Sequence, residues 1–298
     1  MAAPPNFQAN RHRAEEMAAG LPPLLVAAER VASTVAQGVH GRRRVGQGET
    51  FWQFRRYEPT DSAQAIDWRQ SAKTRHLFVR ETEWEAAQSV WLWRDYSPSM
   101  HYRSKPDLPE KHDRAELLLL ALASLLVRGG EHIALLGDGS VPSSGRTRLE
   151  RIAHALLDRG EAARESESLP MFEPLPRHSH LVMIGDLLSP LEEIDATVRG
   201  FAGRGVNGHL LQILDPSEES LPFRGRARFE GLEGEGDVLV RRVESARGEY
   251  RSRLAAHVAG LEAICRRAGW TFTRHHTENP PESALLALFM VLSGALWR

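Results

Sequence analysis

Ser89-Val90-Trp91-Leu92-Trp93-Arg94-Asp95-Tyr96-Ser97-Pro98-Ser99 reads as an apolar strand that runs directly into an acidic, hydroxyl-rich loop. Trp91 and Trp93 alternate along it, which puts both indoles on one packed face. Downstream the pattern repeats with helices between. An apolar helix over Asp113–Arg128 is stopped by Gly129-Gly130, and a strand follows over Glu131–Gly137. Then come a helix over Arg148–Arg159, a strand over His180–Gly185 that ends at Asp186, and a helix over Glu192–Gly203. A strand over Gly208–Leu214 ends at Asp215-Pro216. Strands alternating with helices predict an α/β fold with a mostly parallel sheet and helices on both faces.

The rhythm breaks at Leu221–Val243, where two short strands around a glycine-rich turn predict a β-hairpin insertion. It resumes with a long helix over Glu244–Ala268 that ends at Gly269, a strand over Trp270–His275 and a helix over Pro281–Trp297. Upstream, Leu21–Ala36 predicts a helix with Pro22 and Pro23 near its start. Gly38–Gly48 is a basic, glycine-rich loop, and Thr50–Tyr57 and His76–Glu83 read as strands. The expected organisation is a helical or extended segment over 1–37, a small β-rich subdomain over 38–87 and the α/β domain over 88–298.

Of the 298 residues, 42% are hydrophobic and 26% charged, which places the chain in the soluble globular class. The net charge of -1 favours neither nucleic acid nor a membrane surface. Arg42-Arg43-Arg44 near Phe51 and Trp52 therefore reads as a solvated loop. The single cysteine, Cys265, lies in an apolar helical pattern and reads as a buried thiol in a reducing compartment. Met1–Asn10 lacks the basic-then-apolar pattern of a signal peptide, and Leu117–Val127 and Ala284–Trp297 are shorter than a spanning helix. A cytoplasmic location is expected.

In an open parallel sheet, ligands bind at the carboxyl ends of strands near the point where strand order reverses. Asp95 and Asp186 both fall at strand ends, and Ser97 and Ser99 follow Asp95 at alternating positions. Carboxylates and hydroxyls are hard oxygen donors suited to Mg²⁺, or to Mn²⁺ or Ca²⁺. The same residue types also cap backbone groups in loops, so a structural role stands beside the metal-binding one. Asp138 reads as a turn residue. His275-His276 point to opposite faces of a strand and do not suit one ion. Neither a nucleophile elbow nor a phosphate-binding glycine signature is present, so no catalytic residue is assigned.

Asp95-Tyr96-Ser97-Pro98-Ser99-Met100 after an apolar strand resembles the first element of the metal-ion-dependent adhesion site of von Willebrand factor A domains, and Asp186 matches that site's later aspartate by position. The upstream stretches Phe54-Arg55-Arg56-Tyr57-Glu58-Pro59-Thr60-Asp61, Ile66-Asp67-Trp68-Arg69-Gln70-Ser71-Ala72 and Leu77-Phe78-Val79-Arg80-Glu81 are similar to the bacterial DUF58 proteins. Thr60-Asp61 stands where that family more often has Gly-Asp. The resemblance implies a von Willebrand factor A-like domain that acts as a metal-modulated protein-interaction module. It also implies a MoxR-type AAA+ ATPase as partner in chaperone-like assembly or activation. It implies a second-loop hydroxyl as well, for which Ser143, Ser144 and Thr147 are the candidates within Asp138–Thr147. Two other functions compete: a metal-dependent hydrolase using the same acidic cleft, and a scaffold with a vestigial metal loop.

Overall fold

The computed structural model describes residues 23–39, 51–57, 66–73, 76–82, 88–162, 168–232 and 236–296. The first twenty residues, the basic loop over 40–48 and the Thr60-Asp61 turn lie outside the described residues. Two compact units are present, one comprising 1–39 with 88–298 and the other 40–87.

The smaller unit is built on two antiparallel strands, β1 (Phe51–Arg56) and β2 (Phe78–Thr82), with Phe54 opposite Arg80 and an irregular register between Phe51 and Gln53. One helical turn, Trp68–Ser71, is tied to β2 when Asp67 N donates to Phe78 O (2.9 Å) and Phe78 N donates to Ser71 Oγ (2.9 Å).

The larger unit opens with α1 (Pro23–Val39) and then, from residue 88, follows β3 (Ser89–Arg94), α2 (Lys111–Arg128), β4 (His132–Leu135), α3 (Arg146–Ala162), β5 (His180–Gly185), α4 (Leu191–Ala202) and β6 (Asn207–Leu214). A short helix α5 (Pro216–Ser220) precedes a two-stranded antiparallel insertion, β7 (Ala227–Glu230) with β8 (Asp237–Val240). The chain closes with α6 (Val243–Ala268), β9 (Thr271–His276) and α7 (Pro281–Leu296). Five strands form one sheet in the order β4-β3-β5-β6-β9, every neighbouring pair parallel. Among the described residues, no helix is long and apolar enough to cross a membrane.

Strand side chains alternate between two cores, as the pleat requires. Val90, Leu92, Ile133, Leu135, Val182, Ile184, Leu211 and Ile213 face a cluster shared with α1, α2, α3 and α7. Trp91, Trp93, Leu181, Met183 and Leu210 face the other cluster, with Ile194, Val198 and Phe201 of α4 and Leu261, Ile264 and Cys265 of α6. Burial on both faces explains why these strands are continuous apolar runs. The Cys265 thiol is pushed up to about 12 by that burial. α1 packs against α2 and α7 and so belongs to the larger unit, although sequence places it apart from the α/β domain.

At the amino ends of the strands, Gly208 admits the face of Trp270, whose ring would stand 2.0 Å from a Cβ at that position. Trp270 Nε1 donates to Val206 O (3.0 Å). Beside it the His180 and His209 rings stack at 5.7 Å, and His209 Nδ1 lies 2.6 Å from Thr271 Oγ1. Burial, with some repulsion from His180, lowers His209 to about 3. Burial and the nearby Arg114 lower His275 to about 4.

Two glycines should respond with opposite sign. Gly208→Ala forces the Trp270 indole to move and should lower unfolding free energy by about 1–3 kcal/mol. Gly248→Ala, in an exposed helical stretch with nothing within 4 Å of the added Cβ, should raise it by about 0.5–1 kcal/mol. Urea titration of each variant measures both.

His209 and His275 keep their neutral forms in the folded protein, so the unfolded chain takes up their protons first. Their stabilising contribution is complete above the ordinary histidine value of 6.5 and is lost as pH falls from there toward about 3 and 4. The urea midpoint should fall on acidification below 6.5, before the carboxylates titrate, and His209→Gln should make that slope shallower.

Candidate functional site

The chain leaves β3 for β4 on one side and then crosses to β5 on the other. Such a reversal is where open α/β sheets form a ligand crevice, here at the carboxyl ends of β3 and β5. Asp95 and Asp186 are the first residues past those two strands. Asp95 N extends the ladder by donating to Ile184 O (2.8 Å), which holds Asp95 against Gly185. A Cβ on Gly185 would lie 2.7 Å from Asp95 Cβ and 2.9 Å from its Oδ2, so only glycine admits the carboxylate there.

From Asp95 a chain of oxygens crosses the crevice. Asp95 Oδ1 accepts from Ser97 N (2.8 Å) and from Ser97 Oγ (2.6 Å), an Asx-type turn that folds the loop back on itself. Ser97 Oγ lies 3.0 Å from Ser99 Oγ, and Ser99 Oγ donates to Asp186 Oδ2 (2.7 Å). The loop continues as a short 3₁₀ turn, Pro98–Met100. Asp95 and Ser97 are wholly buried. Asp186 is fixed from both sides: its Oδ1 accepts from Leu188 N (3.2 Å), and its carbonyl accepts from Gln212 Nε2 (2.8 Å). Leu187 follows in a left-handed conformation, φ 52°, which costs on the order of 1–2 kcal/mol and is held by its fully buried side chain.

Lys111 completes the arrangement. It is the first residue of α2, its side chain has no exposure, and its Nζ donates to Asp186 Oδ2 (2.9 Å) and to Glu218 Oε1 (2.6 Å). A lysine at a helix N-terminus opposes the helix dipole. Burial would lower its proton affinity, but the charges and hydrogen bonds of Asp186 and Glu218 outweigh this and raise it above the ordinary lysine value. The same burial pushes the Glu218 carboxyl up, against the pull of Lys111. Glu218 is itself held by a capping box at the start of α5, where Asp215 Oδ1 accepts from Ser217 N (2.8 Å) and Glu218 Oε2 accepts from Asp215 N (2.8 Å). Ser104 N donates to Asp215 Oδ2 (2.9 Å), and Tyr102 OH lies 2.8 Å from Ser217 Oγ, so the segment after Ser99 is tied to the end of β6. Behind the loop, the buried Arg94 pairs with Glu116 (2.8 Å) and covers the Tyr96 ring.

The fold thus brings Asp95, Ser97, Ser99 and Asp186 together. It does not bring Ser143 there: Ser143 pairs with Ile133, which lies level with Val90, at the far end of β3 from Asp95. Ser144 and Thr147 are exposed on the approach to and in the first turn of α3. Asp138 closes its own turn by accepting from Ser140 N (2.8 Å). His275 Nε2 accepts from Arg114 Nη1 (3.2 Å), and His276 pairs with Glu219 (2.8 Å), so the two serve different partners.

Sequence reasoning missed Lys111 and Glu218. Both left a signal: Asp215-Pro216-Ser217-Glu218 is a capping-box pattern, and a lysine opening an apolar helix needs an acidic partner. Among the described residues, no three His, Cys, Asp or Glu side chains converge as a metal-ligand group. The oxygen set at the crevice has two carboxylates and two hydroxyls, and its chemistry fits a hard divalent cation held by Asp95, Ser97 and Ser99 with Asp186 beside them.

These features define an α/β protein with a parallel sheet, helices on both sides, and a carboxylate-hydroxyl site at its strand-order reversal. The chain belongs to the family described as protein of unknown function DUF58, which it matches over residues 53–260. Among curated proteins it is 26% identical over 269 residues to an uncharacterized protein of Mycobacterium tuberculosis, covering 85% of this chain and 83% of that one. An uncharacterized protein of Mycobacterium bovis matches to the same extent, 26% over 269 residues, with 85% and 83% coverage. Among solved structures, the conserved hypothetical protein BatB from Bacteroides thetaiotaomicron aligns with TM-score 0.41 and 16% identity, covering 71% of this chain and 100% of that one. An aerotolerance-related membrane protein from Bacteroides fragilis, carrying multiple mutations to serine, aligns with TM-score 0.39 and 15% identity, covering 70% and 100%. At these scores the fold is read from this chain's own topology.

Ser99→Ala removes the hydroxyl that joins the β3 loop to the Asp186 carboxylate. Unfolding free energy should fall by about 1.5–3 kcal/mol, the range for a hydrogen bond to a charged group, as read by urea denaturation.

Proposed function

We propose that this protein is a metal-modulated protein-interaction module, with a von Willebrand factor A-like domain that takes a divalent cation at Asp95, Ser97 and Ser99. The reading rests on one observation: the oxygens of Asp95, Ser97, Ser99 and Asp186 form an unbroken chain across the carboxyl ends of two adjacent parallel strands. A cation held there by so few protein ligands keeps part of its shell for water or for a carboxylate brought by a partner. Mg²⁺ suits the oxygen set, as do Mn²⁺ and Ca²⁺. The proposed partner is a MoxR-type AAA+ ATPase, and the proposed role is assistance in chaperone-like assembly or activation. A cytoplasmic setting accords with the single buried thiol.

The test is capture of the partner ATPase by the full chain in Mg²⁺ and in EDTA, with Asp95→Ala alongside. Capture should drop at least tenfold with EDTA and with Asp95→Ala. Capture that ignores both treatments would remove the metal from the mechanism.

A further inference from the structure

Two groups converge on one oxygen of Asp186. Ser99 Oγ reaches Oδ2 at 2.7 Å from the side of the proposed cation site, and Lys111 Nζ reaches the same Oδ2 at 2.9 Å from the side of α2. The ammonium is wholly excluded from water, and its other carboxylate partner is Glu218 at 2.6 Å. Lys111 is therefore a cation carried by the chain itself, separated from the proposed ligand Ser99 by one carboxylate oxygen, Asp186 Oδ2. Positive charges placed this close in a water-poor crevice repel strongly.

We propose that Lys111 is a built-in competitor for the divalent cation, an inference that rests on the metal-binding reading given above. The ammonium neutralises Asp186 in the metal-free protein. A divalent cation at Asp95, Ser97 and Ser99 must share Asp186 with Lys111 or displace the ammonium toward Glu218. Two consequences follow from the geometry. The cation is bound more weakly than its oxygen donors alone would hold it, so occupancy follows the surrounding concentration and is not permanent. The exchange is also felt by α5, because Glu218 is part of the capping box that sets the start of that helix, and Ser217 and Asp215 hold the segment carrying Tyr102 and Ser104. Occupancy of one loop is thereby transmitted to the two loops that rim the crevice.

The test is titration of Mn²⁺ into the full chain, read as loss of the free-ion paramagnetic resonance signal, for the wild type, Lys111→Met and the double variant Lys111→Met/Glu218→Gln. Each is repeated with Asp95→Ala added. The double variant removes one buried carboxylate together with the ammonium, so the measurement survives if the single variant fails to fold. Both Lys111 variants should bind Mn²⁺ at least tenfold more tightly than the wild type, and Asp95→Ala should abolish the gain. Weaker binding after replacement would mark a lysine that serves only to hold the ligand loops in place. Equal or weaker binding in the folded variants overturns the competition and leaves the metal site standing. Tighter binding that persists with Asp95→Ala also overturns it, since the ion then occupies the space vacated by Lys111. No Mn²⁺ binding by any of the proteins overturns the metal-site reading, and this inference with it.

Discussion

The ammonium of Lys111, shut away from water between Asp186 and Glu218, is the interaction on which the crevice depends. Two carboxylates this close repel each other and cost free energy to desolvate, and a single positive charge between them offsets both terms. It also joins three places that the chain visits separately: the start of α2, the end of β5 and the start of α5. The loops at the carboxyl ends of β3, β5 and β6 consequently behave as one polar layer, with Ser99 as the link to the β3 loop.

Beneath that layer the supports are apolar and steric. The sheet buries both faces, one against α1, α2, α3 and α7 and the other against α4 and α6. Strand ends anchored this firmly hold their terminal side chains at fixed spacing. Gly185 lets Asp95 lie directly against the neighbouring strand, and the buried side chain of Leu187 holds the left-handed turn that follows Asp186. Both are places where local preference yields to the needs of the crevice, which is where such exceptions are expected.

Within the polar network the two carboxylates and two hydroxyls of the site bond to one another, to backbone amides and to lysine. These contacts pair donors with acceptors: serine hydroxyls to carboxylates, backbone amides to Asp95 and Asp186, and lysine to Asp186 and Glu218.

Sequence alone determined the parallel α/β organisation, because apolar strands alternate with helical segments and strands buried on both faces must be apolar runs. His180–Gly185 was legible to the residue as a strand, and Asp95 and Asp186 were legible as the first residues past two apolar strands, with Ser97 and Ser99 beside them. The hairpin insertion was readable from its turn residues, with boundaries shifted by a residue or two. Tertiary structure alone decided three things. It placed α1 in the core of the larger unit, since an amphipathic helix does not say which neighbour it packs on. It put Ser143 at the wrong end of the sheet, because only the pairing with Ile133 sets that register. It brought Lys111 and Glu218 to Asp186, because a charge pair between residues far apart in sequence leaves no periodic trace and exists only once the strands and helices have fixed the distance between them.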